Sequence, residues 1–179
     1  LACIVLWRVF VQLRLSETTA LAGAALFAVH PLAVSSVCWI TEQKNTLSML
    51  LYVASLWCYL QHDQTRKTRW YISAAAIFIL GLLCKTSGIV LPLVYLAAIW
   101  FRHGRINRRD ALRIAPFLMI SLVLGLVTIC FQNAGLPQHI AARPEGLASR
   151  VAGAGWIVWF YLYKMIWPTP LMMIYPRWS

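Results

Sequence analysis

Residues 70–101 read WYISAAAIFILGLLCKTSGIVLPLVYLAAIWF, an apolar run with one charged side chain, Lys85, between its ends. As one straight α-helix this run would be about 48 Å long, well beyond the roughly 30 Å hydrocarbon core of a bilayer. Basic clusters flank it on both sides, and a single crossing would leave one of them outside. Because positive residues collect on the cytoplasmic side, the run predicts a helical hairpin of two short spans, 70–84 and 87–101, with Lys85 at its tip.

The composition of the whole chain also indicates a membrane protein. Hydrophobic residues make up 61% of the sequence and the mean hydropathy is +0.70, whereas soluble domains are roughly 45–50% apolar. The formal net charge of +11 lies in short clusters between apolar runs. Such clusters are typical of cytoplasmic loops and not of a nucleic-acid-binding face with interleaved aromatic residues. The sequence therefore predicts an all-α, polytopic transmembrane bundle that binds lipid and no nucleic acid.

Apolar windows with few charges place further spans outside the hairpin. One helix is expected to begin at Ser16, which can cap it together with Thr19, and to end at His30, where Pro31 stops it. The other windows are 1–13, 45–62, 114–132 and 149–166. These segments predict about six or seven spans or part-spans in a single transmembrane domain over residues 1–179. Because the chain does not begin with Met and opens in an apolar segment, we expect a fragment of a longer protein.

The positive residues are divided unequally between the two sides of this topology. Ten fall on the side assigned to the cytoplasm, namely Arg8, Arg14, Arg66, Lys67, Arg69, Arg102, Arg105, Arg108, Arg109 and Arg113. Four fall on the outer side, namely Lys44, Lys85, Arg143 and Arg150. By the positive-inside rule this bias sets the orientation. We therefore predict an integral, multi-pass protein of a bacterial inner membrane, with a site on its outer face.

Lys85 is the first candidate for that outer site, since a lysine at membrane depth usually faces a bundle interior or a water-filled cavity. Thr86, Ser87 and Gly88 follow it with hydroxyls and an uncrowded backbone. They lie at the expected N-terminus of the next helix, which is a natural phosphate site. The alternative is that Lys85 only extends its stem to the membrane surface.

Glu42 and Lys44 are the next candidates. They are two residues apart, so on a helix they point in different directions and are not expected to pair. They form either a solvated cap for the following span or part of the same outer cleft as Lys85. His30 is likewise either a helix-terminus residue or a member of that cleft. The polar loop residues His139, Arg143 and Glu145 lie on the same predicted face.

Motifs for other chemistry are absent from the sequence. It contains no G-x-S-x-G, Walker, G-x-G-x-x-G or H-E-x-x-H pattern. Because no His, Asp and Glu cluster has metal-ligand spacing, neither a metal nor a cofactor is predicted. The residues alone indicate a membrane protein with a basic, partly acidic outer site that suits an anionic, lipid-linked ligand.

Three blocks of the sequence resemble one family, in that family's order. HPLAVSSVCWITEQKNTLSMLLYVASLWCYL (30–60) resembles the pattern H-P-L-H-x-E-S-V-A-W-x-S-E-R-K-D-x-L-S followed by an apolar span. LGLLCKTSGIVLPLVYLAAIW (80–100) resembles an L-x-x-K-x-x-x-x-x-x-P-x-x-L-L hairpin, and WFYLYKMIWPTPLMMIYP (159–176) resembles Y-x-x-K-x-x-x-P-x-x-L-x-x-x-Y-P. These patterns belong to the transmembrane-and-tetratricopeptide family of O-mannosyltransferase-like proteins, within the GT-C glycosyltransferases.

The resemblance implies a membrane glycosyltransferase that takes sugar from a polyprenyl-phosphate carrier and attaches it to an acceptor, such as a protein, on the outer face. The residues on matching motif positions are His30, Pro31, Glu42, Lys44, Lys85 and Tyr175. Glu42 is the candidate catalytic carboxylate. The candidates for holding the carrier phosphate are the two lysines, together with His30, Thr86 and Arg143.

Several positions depart from the family's pattern. The second His falls on Ala33, the first Glu on Ser35, and the Asp after the lysine on Asn45. The family's acidic catalytic residues in the first outer loop are expected before residue 1, and its tetratricopeptide repeats after residue 179. The leading hypothesis is the membrane part of a polyprenyl-phosphate-sugar-dependent glycosyltransferase, inactive as this fragment alone. The alternative is a non-catalytic membrane scaffold or a lipid-linked-glycan transporter.

Overall fold

The computed structural model describes residues 1–30, 42–135, 146–167 and 169. Within these ranges the chain is helical and contains no β-strand, so the predicted all-α fold is confirmed. The α-helices of these ranges are α1 (Ala2–Gln12), α2 (Glu17–Val29), α3 (Gln43–Thr65), α4 (Thr68–Cys84), α5 (Leu91–His103), α6 (Arg108–Gly135) and α7 (Leu147–Ile166). A 3₁₀ helix, Thr86–Val90, lies between α4 and α5.

The chain divides into two compact units. Residues 1–135 form the first and residues 136–179 the second. In the first unit α3 packs most extensively on α4 and also on α1, which contacts α2, while the 3₁₀ helix and α5 pack against α6. In the second unit, α7 carries a buried Lys164 that donates to the carbonyl of Thr169 at 2.9 Å. The single transmembrane domain over residues 1–179 stays a prediction.

The limits of α2 follow from its end residues. The hydroxyl oxygen of Ser16 accepts a hydrogen bond from the Thr19 N–H at 3.2 Å, and Glu17 lies in the first turn, where the helix dipole favours an acid. The helix ends at Val29, and His30 is extended, with φ −65° and ψ 129°. A residue before proline is pushed out of the helical region. Both predicted limits of this helix are confirmed.

The two helices predicted within residues 70–101, with a break at Lys85, are confirmed, but the second begins differently, and two membrane crossings stay a prediction. The first arm, α4, ends at Cys84, and Lys85 has an extended backbone. The chain then winds as a 3₁₀ helix, so the α-helical N-terminus expected at residue 87 lies at Leu91 instead. Pro92 explains the shift, because proline fits the first turn of an α-helix, where its missing N–H costs nothing.

An aromatic cluster joins α3, α5 and α6. Tyr59 stacks on Tyr95 with 4.6 Å between ring centroids and 6° between planes, and Phe117 meets Tyr95 edge-on at 5.2 Å. Ser55 donates to the carbonyl of Ala74 at 2.6 Å and accepts from the Tyr95 hydroxyl at 2.6 Å. The buried hydroxyls are thus hydrogen-bonded, as burial requires. The cluster fixes α3 at the centre of the first unit.

Two helical segments, Thr86–His103 and Arg108–Gln132, are long and apolar enough to cross a membrane. The shorter apolar helices are Ala2–Gln12, Glu17–Val29, Thr68–Cys84 and Val151–Ile166. Large apolar side chains of α6 face outward, and those more than half exposed include Met119, Leu122, Leu126 and Ile129. An outward apolar surface of this extent suits lipid better than water.

The predicted span 45–62 lies within α3, which has 23 residues. This helix has the length of a membrane crossing but is not among the segments apolar enough for one. Its buried face explains why, since that face includes Ser48, Ser55 and Asp63. These polar groups contact protein and not lipid, so a helix at the centre of a bundle can carry them.

Candidate functional site

Lys85 belongs to a hydrogen-bonded trio at the N-terminal end of α3. Its ammonium group Nζ donates to Oδ1 of Asn45. The Nδ2 amide of Asn45 in turn donates to Oε2 of Glu42. All three residues are half-buried. The amide of Asn45 therefore links the cation to the carboxylate, and Glu42 caps α3 without a side-chain hydrogen bond to its backbone.

Tyr52 holds the backbone on both sides of Lys85. Its hydroxyl lies within hydrogen-bond distance of two carbonyls, that of Gly81 at 2.9 Å and that of Lys85, which share its one proton. The same oxygen accepts the Gly88 N–H at 3.1 Å. One phenol of α3 therefore bridges the end of α4 and the 3₁₀ helix. This bridge fixes the direction in which the lysine leaves the chain.

Two glycines make room for the Tyr52 ring. A Cβ at Gly81 would lie 2.6 Å from Cε1 of Tyr52, and a Cβ at Gly88 would collide with the same ring. Contacts this short force a neighbour to move. The Tyr52 ring thus occupies the space beside both glycines, so the backbone at Gly88 is not uncrowded. The prediction that the Gly88 backbone is open to a phosphate is wrong, because its N–H is already hydrogen-bonded.

The trio leaves the ammonium of Lys85 with donors to spare. A lysine has three N–H donors, and the hydrogen bonds found in the described part of the chain occupy one of them. No carboxylate of the described residues lies within ion-pair distance of Lys85. An ammonium held by a neutral amide keeps its charge available for an anion.

The other predicted residues occupy different positions. Lys44 is exposed in the first turn of α3. It precedes Asn45 in the sequence, so its side chain lies on a different face of the helix from the trio. Thr86 is half-buried and Ser87 exposed in the 3₁₀ helix. His30 is half-buried at the C-cap of α2, and its membership of the cleft stays a prediction. Of the remaining candidates, His139, Arg143, Glu145 and Tyr175 lie outside the described residues.

Sequence reasoning missed Asn45 and Tyr52 as members of the site. Asn45 follows Glu42 by three residues, and Tyr52 follows Asn45 by seven. Both spacings place side chains on one helical face. That periodicity could have indicated the shared face. The partners across the hairpin could not be seen, because they lie 29 to 40 residues further along the chain.

The opposite end of α3 carries a different arrangement, built on Asp63. The Asp63 carboxylate is 6% exposed and contacts Arg66 at 3.1 Å, Arg102 at 3.4 Å and Nε2 of His103 at 2.7 Å. Beside it, the first turns of α6 and Arg66 line a groove of about 570 Å³. We call this region the arginine end, and the region of Glu42, Asn45, Tyr52 and Lys85 the lysine end.

The two ends are separated by the length of α3, about 30 Å at the α-helical rise. Arg66 and Arg108 line the same groove, whereas Lys85 contacts Asn45 at the other end. These arginines therefore lie together at the end of α3 opposite Lys85, and the prediction that this end is cytoplasmic stays a prediction. Among the described residues, no three His, Cys, Asp or Glu side chains are grouped closely enough to hold a metal ion.

Comparison with known proteins identifies the family. The family model described as dolichyl-phosphate-mannose-protein mannosyltransferase matches residues 1–131, a range that includes both ends of α3 and the hairpin. No curated protein and no solved structure matches the chain. The family is one of membrane-embedded GT-C glycosyltransferases, for which a lipid-linked sugar donor and a protein acceptor are general. The predicted relationship to O-mannosyltransferases is confirmed: the chain belongs to the dolichyl-phosphate-mannose-protein mannosyltransferase family.

Proposed function

We propose that this chain is the membrane part of a multi-pass glycosyltransferase that uses a polyprenyl-phosphate-linked sugar and acts at the lysine end. The observation that carries the proposal is the ammonium of Lys85, which is held by Asn45 and left unneutralised by the described carboxylates. A compact ammonium suits a phosphate oxygen. Thr86, the residue after Lys85, can add a hydroxyl, and exposed Lys44, the residue before Asn45, can add a second cation. His30 and Arg143 stay further candidates.

The chemistry explains why a cation is needed at this place. In the transfer, the bond between the sugar C1 and the carrier phosphate oxygen breaks, and a bond from C1 to the acceptor hydroxyl oxygen forms. The hydroxyl proton passes to a base, and polyprenyl phosphate leaves with the negative charge. A fixed ammonium beside that phosphate stabilises the charge as it develops. Lys85 thus assists departure of the carrier, while the main catalytic carboxylate is expected before residue 1.

Glu42 is the candidate carboxylate of the lysine end within the described residues. Of the other described acids, Asp63 and Asp110 contact cations at the arginine end, and Glu17 lies in the first turn of α2. Glu42 already accepts a hydrogen bond from Asn45. It can therefore orient the trio or act on the acceptor hydroxyl.

The orientation of the lysine end follows from charge. The arginine end collects most of the basic residues, and positive residues stay on the cytoplasmic side. The lysine end is then on the outer face of the membrane. In a bacterium we propose that this membrane is the inner membrane. A lipid-linked sugar presented there would reach Lys85 from the outer leaflet.

One observation favours the alternative, a non-catalytic scaffold or a lipid-linked-glycan transporter. The family's Asp after the lysine is replaced by Asn45, which binds Glu42 and Lys85. This arrangement can bind an anion without catalysing sugar transfer. The sequence before Leu1 discriminates between the two functions, since an Asp-Asp or Asp-Glu pair in an outer loop supports the enzyme.

The direct test is binding of a polyprenyl-phosphate analogue to the purified full-length protein. Lys85→Met keeps most of the apolar stem and removes the ammonium. We expect its affinity to fall by about 1.5–3 kcal/mol, or roughly 10- to 150-fold, for one lost charge-assisted contact. Asn45→Ala keeps the charge but loosens its position, so the loss should be smaller, about 0.5–1.5 kcal/mol.

Lys67→Met is the matched control, because Lys67 is exposed at the far end of α3. This variant should bind the analogue as tightly as the wild type. Glu42→Gln should spare binding and lower transfer of the sugar. If Lys85→Met binds the analogue as tightly as the wild type, Lys85 is a snorkelling lysine and the phosphate site is refuted. Normal transfer by Glu42→Gln removes Glu42 from the chemistry.

A further inference from the structure

The groove at the arginine end is lined almost entirely by charged side chains. Its lining residues are Arg66, Asn107, Arg108, Arg109, Asp110 and Arg113. They come from Arg66, the residue after α3, from Asn107 just before α6, and from the beginning of α6. The volume of about 570 Å³ accommodates a group as large as a lipid headgroup, since ligand pockets measure roughly 300–1,000 Å³.

The charges of this groove do not cancel. Asp110 is its one carboxylate, and it accepts the Asn107 N–H at 3.1 Å and contacts Arg113 at 3.6 Å. Arg66 is already paired with Asp63 at 3.1 Å. Among the residues that the structure describes, Arg108 and Arg109 have no ion-pair partner, and both are exposed. The groove therefore presents at least two uncompensated guanidinium groups.

The position of these two arginines in α6 further favours the binding of an anion. Arg108 and Arg109 open α6, and the N-terminus of a helix is its positive end. Basic side chains in this first turn are repelled by the dipole, whereas a phosphate is attracted by both. A bound anion would relieve an arrangement that α6 alone disfavours.

Neighbouring aromatic residues indicate that the groove lies at the level of lipid headgroups. Trp70 packs edge-on against Trp57 at 5.3 Å, and the guanidinium of Arg69 lies 5.4 Å from the centre of the Trp70 ring. Trp100, near the end of α5, is 57% exposed. Tryptophans of this kind collect at the membrane interface. The apolar segment Arg108–Gln132 begins at the groove itself.

We propose that this groove binds the phosphate of an anionic phospholipid. Arg108 and Arg109 make the principal contacts, because guanidinium groups bind phosphate oxygens in a bidentate fashion. Arg113 and Arg66 contribute from the walls while remaining in their ion pairs. This lipid site lies at the other end of α3 from Lys85 and is independent of the carrier-lipid site proposed there.

The test measures phosphatidylglycerol binding to the purified full-length protein, by native mass spectrometry or by lipid-dependent thermal stabilisation. Phosphatidylcholine serves as the zwitterionic reference, and inorganic phosphate as the free-anion probe. The double variant Arg108→Gln/Arg109→Gln should lose roughly tenfold or more in phosphatidylglycerol affinity. The double variant Lys67→Gln/Arg69→Gln removes the same charge outside the groove and should lose much less.

The outcomes separate the possibilities. A partial loss of phosphatidylglycerol binding in Arg108→Lys/Arg109→Lys, smaller than the loss in the glutamine pair, supports the groove as the site, because lysine keeps the charge but not the bidentate contact. An equal loss in both glutamine pairs means that diffuse charge attracts the lipid, and this overturns the proposal. The proposal is also overturned if inorganic phosphate stabilises the protein as much as phosphatidylglycerol does. Carrier-analogue binding at Lys85 should remain unchanged in all these variants.

Discussion

The two ends of α3 hold their cations in opposite ways. At the lysine end, the ammonium of Lys85 is positioned by the neutral amide of Asn45, with Glu42 one hydrogen bond further away. At the arginine end, the buried carboxylate of Asp63 contacts three cationic or titratable side chains directly. A cation neutralised by a carboxylate joins helices together. A cation held by an amide remains available to a ligand.

The difference also separates structural from functional polar groups inside one bundle. Asp63 connects the end of α3 to the end of α5, through Arg102 and His103. Tyr52 connects the middle of α3 to the hairpin tip, but it does so through backbone carbonyls and an N–H. Both links cross between helices. The first pairs Arg102 directly with a carboxylate, whereas the second leaves the Lys85 ammonium without a carboxylate at ion-pair distance among the described residues.

Removing the carboxylate from the arginine end should have the largest effect on stability. In Asp63→Asn, Arg102 would keep its charge with a side chain only 10% exposed. Breaking a buried ion pair by removing one partner costs about 3–5 kcal/mol. We expect a loss of that size in the free energy of unfolding, measured in detergent by denaturant titration.

Glu17→Gln is the control for Asp63→Asn, because Glu17 is exposed in the first turn of α2. Its loss should cost no more than about 1 kcal/mol. Equal stability of Asp63→Asn and the wild type would show that Asp63 does not hold α3 and α5 together. The contrast between the two ends would then fail.

At the lysine end the corresponding structural test is Gly81→Ala. The added methyl would lie 2.6 Å from the Tyr52 ring, so the ring or the hairpin must shift. Overpacking of this kind costs about 1–3 kcal/mol. The effect should appear in unfolding, and carrier-analogue binding should weaken with it, because Tyr52 sets the direction of Lys85.

Gly153→Ala is the matched control, since nothing lies within 4 Å of a Cβ at this position of α7. There alanine should be neutral or stabilising by up to about 1 kcal/mol, as expected from helix propensity. If Gly81→Ala were as well tolerated as Gly153→Ala, Tyr52 would not occupy the space beside the hairpin. The positioning role of Tyr52 would then be lost.

The sequence predicted those features that depend on length, local chemistry and overall charge. The hairpin of residues 70–101 followed from its length and flanking basic clusters, and the start of α2 followed from Ser16. The 3₁₀ helix at Thr86–Val90 was not predicted, because the effect of Pro92 on the start of α5 was overlooked. That signal was local and could have been used.

Contacts between helices were beyond sequence reasoning. Lys85 was identified as a candidate, but its partner Asn45 appeared only as a departure from a family pattern. Asp63 was not identified at all, since its partners Arg102 and His103 lie 39 and 40 residues away along the chain. Helical periodicity tells which residues share a face. It does not tell which face meets which, and that is what creates the two ends.

The central claim is that the lysine end and the arginine end lie on opposite sides of the membrane, with the lysine end outside. Single cysteines test it directly when they replace Gln43 and Ile106, which are uncharged and exposed at the two ends, in a protein whose five native cysteines are changed to Ser or Ala. With a membrane-impermeant maleimide on intact cells, the account predicts labelling at position 43. Position 106 should be labelled only after permeabilisation. Labelling of position 106 from outside, with position 43 protected, would contradict the account.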